Sequence, residues 1–154
     1  MSRFPWPDRI DPCPARHLTG EWTRKRRRRS MLKLSSILLG SENPKRLSDF
    51  YGRVLGKGPD MEDGGYYGFM AGDCFLGVGP HDKVKGRNPA PERILLNLET
   101  ADVKGEFERI KGLGTKVVAD PYRMGEGEMW IATFADPDGN YFQLMSPWEP
   151  EPAG

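Results

Sequence analysis

The sequence predicts an α+β chain made from one unit used twice, each unit being a strand, a helix and three further strands. Two observations predict it. Strand-like and helix-like apolar runs alternate in the same order on both sides of a polar, proline-bearing linker, offset by about 57 residues from Ile37 to Ile94. Glycines and prolines punctuate the short runs at the spacing of hairpins.

The first unit, expected over 31–80, opens with Leu32–Leu39, read as a strand. Asn43-Pro44 then supplies a helix N-cap with proline at the first helical position. Leu47, Phe50, Tyr51, Val54 and Leu55 fall on one face of a helix, and Gly56 ends it. Strands are expected near Pro59–Glu62, Tyr66–Met70 and Cys74–Val78, set apart by Gly64, Gly65, Gly72 and Gly79. Residues 80–91 read as the linker.

The second unit, expected over 92–148, repeats the order. Arg93–Leu98 reads as a strand, and Thr100 or Asp102 caps a helix whose inward face is Val103, Phe107 and Ile110. Gly112 and Gly114 end that helix, and strands follow near Lys116–Pro121, Glu128–Phe134 and Tyr141–Met145. The last two are joined through Asp136-Pro137-Asp138-Gly139-Asn140. There Pro137 presets φ, Asp138 can bond its own backbone, and Gly139 supplies the positive φ that closes the turn.

Composition separates the two ends of the chain. Residues 1–30 hold nine Lys/Arg against three Asp/Glu, including the run from Arg24 to Arg29, while residues 31–154 hold fourteen against nineteen. A proline-bearing segment with no apolar periodicity buries too little surface to offset its ordering entropy, so 1–30 is expected to be a disordered basic leader. It also admits reading as a nucleic-acid or nuclear-targeting arm, or as a twin-arginine export signal around Arg28-Arg29. The apolar stretch after those arginines, Leu34–Leu39, already reads as a strand, and the preferred expectation is that the folded protein starts at Met31, with a short tail at 149–154. The mildly acidic body disfavours nucleic-acid binding. Cys13 and Cys74 make no disulfide framework, which fits a reducing, cytoplasmic setting. No apolar run approaches the roughly 18 residues of a membrane span, so no membrane partner is expected.

Asn43-Pro-Lys-Arg-Leu-Ser-Asp-Phe-Tyr-Gly-Arg-Val-Leu-Gly56 and Asp136-Pro-Asp-Gly-Asn140, in this order within a repeated β-α-β-β-β pattern, resemble the vicinal-oxygen-chelate superfamily, the glyoxalase/bleomycin-resistance/extradiol-dioxygenase group. The resemblance covers Met31 to about Pro147. It implies an open barrel-like sheet around a pocket, with the two units each contributing half. It also implies four metal-ligand positions on the first and fourth strands of each unit, which fall on Ser36, near Gly77, and on Arg93 and Gln143. A divalent cation needs imidazole or carboxylate donors, so these residues imply that the usual metal is absent and no cofactor is expected. His81 and Cys74, with Asp73 and Asp82 beside them, match no common metal spacing, and no nucleophile–base order stands out.

Strand alternation then names the side chains that would line the pocket: Ser36 and Leu38, Phe69, Arg93, Leu95 and Asn97, Trp130, and Tyr141, Gln143 and Met145. Trp130 follows the glycine-rich Gly125-Glu-Gly-Glu128, and Arg93 offers a planar fork to an anionic group. Phe69, Trp130, Tyr141 and Met145 read equally as core packing, and Arg93 as a partner for a nearby carboxylate. The resemblance implies a metal-independent binder of a small organic molecule, working as a homodimer. The enzyme-class alternative is a glyoxalase- or dioxygenase-type lyase, isomerase or oxidoreductase with a non-standard site, and a weaker one is a DNA-associated protein acting through the basic leader.

Overall fold

Residues 32–147 are described in a computed structural model; the basic leader and the tail expected at the two ends lie outside them. The first unit comprises strand β1 (Ser36–Ser41), helix α1 (Pro44–Leu55) and strands β2 (Met61–Asp63), β3 (Tyr66–Ala71) and β4 (Cys74–Pro80). The second comprises β5 (Leu95–Glu99), α2 (Val103–Gly112), β6 (Lys116–Arg123), β7 (Trp130–Ala135) and β8 (Tyr141–Met145). Each unit folds into its own four-stranded mixed sheet, in the orders β1-β4-β3-β2 and β5-β8-β7-β6. The fold is α+β, and the sheets form no closed barrel.

The helices start and stop for the reasons legible in the chain. The Asn43 side chain accepts from the Arg46 N–H at 3.1 Å, Pro44 occupies the first turn, and Gly56 at φ 69° donates to the Gly52 carbonyl. For α2 the cap is Asp102, which accepts from the Gly105 N–H, while Thr100 Oγ1 accepts from Asp102's own N–H. Both candidate caps therefore have a part.

Four strand starts differ from expectation: β2 begins at Met61 and β7 at Trp130, each two residues late, and the other two bear on the site. β1 begins at Ser36, not Leu32, because pairing with β4 begins at Ser36↔Phe75 and Leu32 and Leu34 project into solvent. Likewise β5 begins at Leu95, and Arg93 closes a 3-10 turn over Pro91–Arg93. The units consequently repeat at 59 residues, from Ser36 to Leu95 and from Pro44 to Val103, rather than at 57.

Register shows which side of each sheet meets the helices. The rows Ile37–Leu76–Phe69 and Leu96–Phe142–Phe134–Val117 point to α1 and α2, whose Leu47, Phe50, Tyr51, Val54, Val103, Phe107 and Ile110 complete the core. The halves meet through aromatic rings: Phe50 and Tyr51 of α1 pack edge-on against Phe142 of β8, which stacks on Phe134 at 5.5 Å.

Candidate functional site

Burying one side of each sheet under a helix leaves the other side of both sheets without a helical cover. In the first unit the helix-remote face carries Ser36 and Leu38 from β1, Phe75, Gly77 and Gly79 from β4, and Tyr66, Gly68 and Met70 from β3. The glycines are needed here for space rather than for backbone freedom. A Cβ on Gly68 would lie 2.0 Å from the Phe75 ring and one on Gly79 2.2 Å from the Tyr66 ring. The two aromatic side chains thus lie over glycines and pave the face. A Cβ on Gly77 would meet the Leu38 side chain at 3.1 Å.

The second unit presents a different surface. Three rows cross its helix-remote face: Leu95–Tyr141–Ala135, Asn97–Gln143–Thr133 and Glu99–Met145–Ile131. Only the middle row is made entirely of amides and a hydroxyl. Gln143 Nε2 donates to Thr133 Oγ1 at 3.0 Å, and Thr133 is buried. Thr133 was not singled out in the sequence. Its place beside Gln143 depends on the β7–β8 register, whose only sequence signal is the short Asp136–Asn140 turn.

Seven of the ten residues expected to line a pocket lie on these two faces: Ser36, Leu38, Leu95, Asn97, Tyr141, Gln143 and Met145. Three do not. Phe69 is fully buried on the helix side, in register with Leu76, because a ring on β3 gains more from the α1 core than from an open face. Trp130 shares the face of Ala132 and Phe134; it packs against the core and lies under Lys104 Nζ, 3.9 Å from the ring centroid. Arg93 sits in the 3-10 turn, exposed and outside the ladder.

Register also tests whether the residues at the implied metal positions suit a cation. On the parallel β1–β4 and β5–β8 pairs, Gly77 stands opposite Leu38 and Gln143 opposite Asn97. Of the other two implied positions, Ser36 stands opposite Phe75 and Arg93 lies outside the ladder, so the four residues and their partners bring no carboxylate or imidazole together. Among the described residues no three His, Cys, Asp or Glu side chains are grouped to hold a metal. His81 is exposed, its Nδ1 accepting from the Lys83 N–H, and Cys74 is a half-buried free thiol.

The closing turn, legible as a fold marker, has a second role as a clasp between the halves. Buried Asp136 accepts from Tyr51 Oη at 2.8 Å, from the Asp138 and Asn140 backbone N–H groups, and from Asn140 Nδ2. Asp138 accepts from Ser41 Oγ and from Arg46 Nη2. Burial pushes the Asp136 carboxyl above the ordinary carboxylate range in spite of these bonds, and burial beside Asp136 pushes the Tyr51 phenol well up, so it stays a donor. Asp136 faces α1 and holds the turn against that helix. At the far end of α1, Arg109 of α2 donates to the Arg53 and Val54 carbonyls, satisfying acceptors that the helix terminus leaves over. A crevice of about 430 Å³ lies there, lined by Leu55, Gly56, Leu98, Thr100, Glu106 and Arg109 among others, and it contains none of the ten expected residues. Among the described residues no helix is long and apolar enough to cross a membrane.

Comparison with known proteins agrees with this architecture. A glyoxalase-like domain family matches residues 36–145, which takes in both units. Among solved structures, a glyoxalase/bleomycin resistance protein/dioxygenase family enzyme from Burkholderia phytofirmans PsJN superposes with a TM-score of 0.62 at 18% identity, over 75% of this chain and 98% of that one. The fosfomycin resistance protein FosX from Listeria monocytogenes gives 0.56 at 18% identity, over 77% and 94%. TioX from Micromonospora sp. ML1 gives 0.57 at 16%, over 74% and 98%. At such identities these neighbours speak for the fold alone, and no curated protein matches the chain. With both β-α-β-β-β units inside the match, the chain belongs to the glyoxalase-like domain family.

Proposed function

We propose that this protein binds a small organic molecule on the helix-remote faces of its two sheets, without a metal and without a cofactor. The observation that carries the proposal is the row Asn97–Gln143–Thr133, with its counterpart Leu38–Gly77–Gly68. These positions offer neutral hydrogen-bonding groups and hydrocarbon, the composition of an organic-ligand site, and nothing that replaces a cation's water shell. Exposed apolar side chains support it: Leu38, Met70 and Leu95 all lie on these faces at 37–42% exposure. Apolar surface left open on both sheets is what a ligand, and a second copy of the chain closing over it, would cover. A homodimer in the cytoplasm is part of the same proposal.

The test is metal analysis of protein purified without chelators, paired with melting curves in the presence of antibiotics and aromatic metabolites. Substoichiometric metal and a ligand-dependent rise in Tm are expected, since a molecule that binds only the native state stabilises it. A tightly held, stoichiometric zinc, nickel, iron or manganese ion would overturn the proposal.

A further inference from the structure

We propose that the second unit's open face selects uncharged ligands that present an amide-like edge, such as a carboxamide, lactam or urea, on a flat apolar body. This rests on the binding role given to that face above and adds the class of ligand. Three observations lead to it.

The first is orientation. Gln143 Nε2 spends one of its two hydrogens on Thr133 Oγ1, which fixes which way the amide is turned. Oε1 and the second N–H remain, and among the described residues neither has a partner. Asn97, opposite Gln143 on the neighbouring strand, is exposed and offers a further donor and acceptor. Parallel strands stand about 4.8 Å apart, so two side-chain amides in register can bond both edges of one small planar group.

The second is the absence of a countercharge. On β5, β7 and β8 the face carries no lysine, arginine or histidine, and its single ionisable acid, Glu99, is exposed at the end of β5. Tyr141 adds a phenol that can donate and accept a hydrogen bond. Lys116, in register with Ala135, stands two strands away from β8, about 10 Å off and beyond direct bonding. A carboxylate docked on Gln143 would lose hydration with no cation to replace it, and an ammonium would find only a solvated carboxylate at the rim. A neutral amide exchanges its water bonds for bonds of the same kind.

The third is the flanking rows. Leu95 and Tyr141 on one side and Met145 on the other bound the polar row with hydrocarbon and one ring, while Ala135 and Ile131 behind them are buried. A single polar band between apolar rows matches a ligand whose polar edge is narrow and whose body is flat and apolar.

The experiment uses three probes of one shape: 2-naphthamide, 2-naphthoate and 2-naphthylmethylammonium. Each is titrated into the full chain at pH 7 while backbone and side-chain amide resonances of β5, β7 and β8 are followed. The amide probe is expected to shift Asn97, Thr133 and Gln143 and to bind about tenfold or more tightly than either charged probe. Gln143→Leu should cost the amide probe about tenfold, while Gln143→Glu should move the preference toward the ammonium. Binding at this face with no preference among the three, or a preference for naphthoate, would overturn the ligand class and leave the binding role standing. If none of the probes moves these resonances, both fall.

Discussion

The Tyr51 hydroxyl donates to the Asp136 carboxylate at 2.8 Å, joining the middle of the first helix to the turn before the last strand across 85 residues of chain. Both groups are buried, so the bond fixes how the two units meet. It also anchors the turn that leads straight into Tyr141 and Gln143.

Tyr51→Phe keeps the ring contacts to Phe50 and Phe142 and removes only the hydroxyl. A buried carboxylate then lacks one donor. A loss of about 1.5–3 kcal/mol is expected in urea unfolding, with the slope unchanged. A change within experimental error would show that the bond has no part in stability.

Asp136 gives a signed pH dependence. Its folded pKa is raised above its unfolded value by burial, so the native state holds the proton more tightly than the unfolded chain does. Its contribution to stability is therefore fully present below the ordinary aspartate range and is lost as pH rises through the raised folded value. Against Asp136→Asn, which does not titrate, wild type should be relatively most stable at about pH 3 and lose that advantage toward neutrality. Unfolding midpoints of both proteins from acid to neutral pH give the comparison, and an advantage that grows with pH would contradict it.

Gly68→Ala forces a Cβ into the space of the Phe75 ring. Overpacking of this kind costs about 1–3 kcal/mol. Phe75→Leu in the same chain should recover part of that loss, because the two sites are in contact and do not add. Strict additivity in the double-mutant cycle would mean that the ring moves aside freely.

Arg109→Lys tests the second clasp between the units. Lysine keeps the charge but loses the fork that reaches the Arg53 and Val54 carbonyls together. About 1 kcal/mol of destabilisation is expected. Hydrogen exchange in the last turn of α1 should rise more than in its first turn, and uniform exchange along the helix would argue against capping by Arg109.

Much of the architecture is legible along the chain because it depends on neighbours. The caps Asn43 and Asp102, the stops after Leu55 and Gly112, and the turn at Asp136–Asn140 are set by side chains within a few residues of the backbone they satisfy. The inward helix faces follow from period alone. Strand starts are less legible, since Leu32 and Leu34 are apolar yet lie before the point at which pairing with β4 begins. Phe69 and Trp130 alternate in keeping with the strand period, but period does not say which of two apolar-looking sides a helix will cover.

Residue type and order along the chain carry the repeated unit and the family match. Folding in three dimensions sets Asn97 and not Arg93 opposite Gln143, turns that glutamine toward Thr133, and brings Asp136 and Asp138 to bond across the units. Register is the cause. A strand's partner is chosen by burial and backbone pairing summed over the whole sheet, and a shift of one residue turns every side chain to the other face.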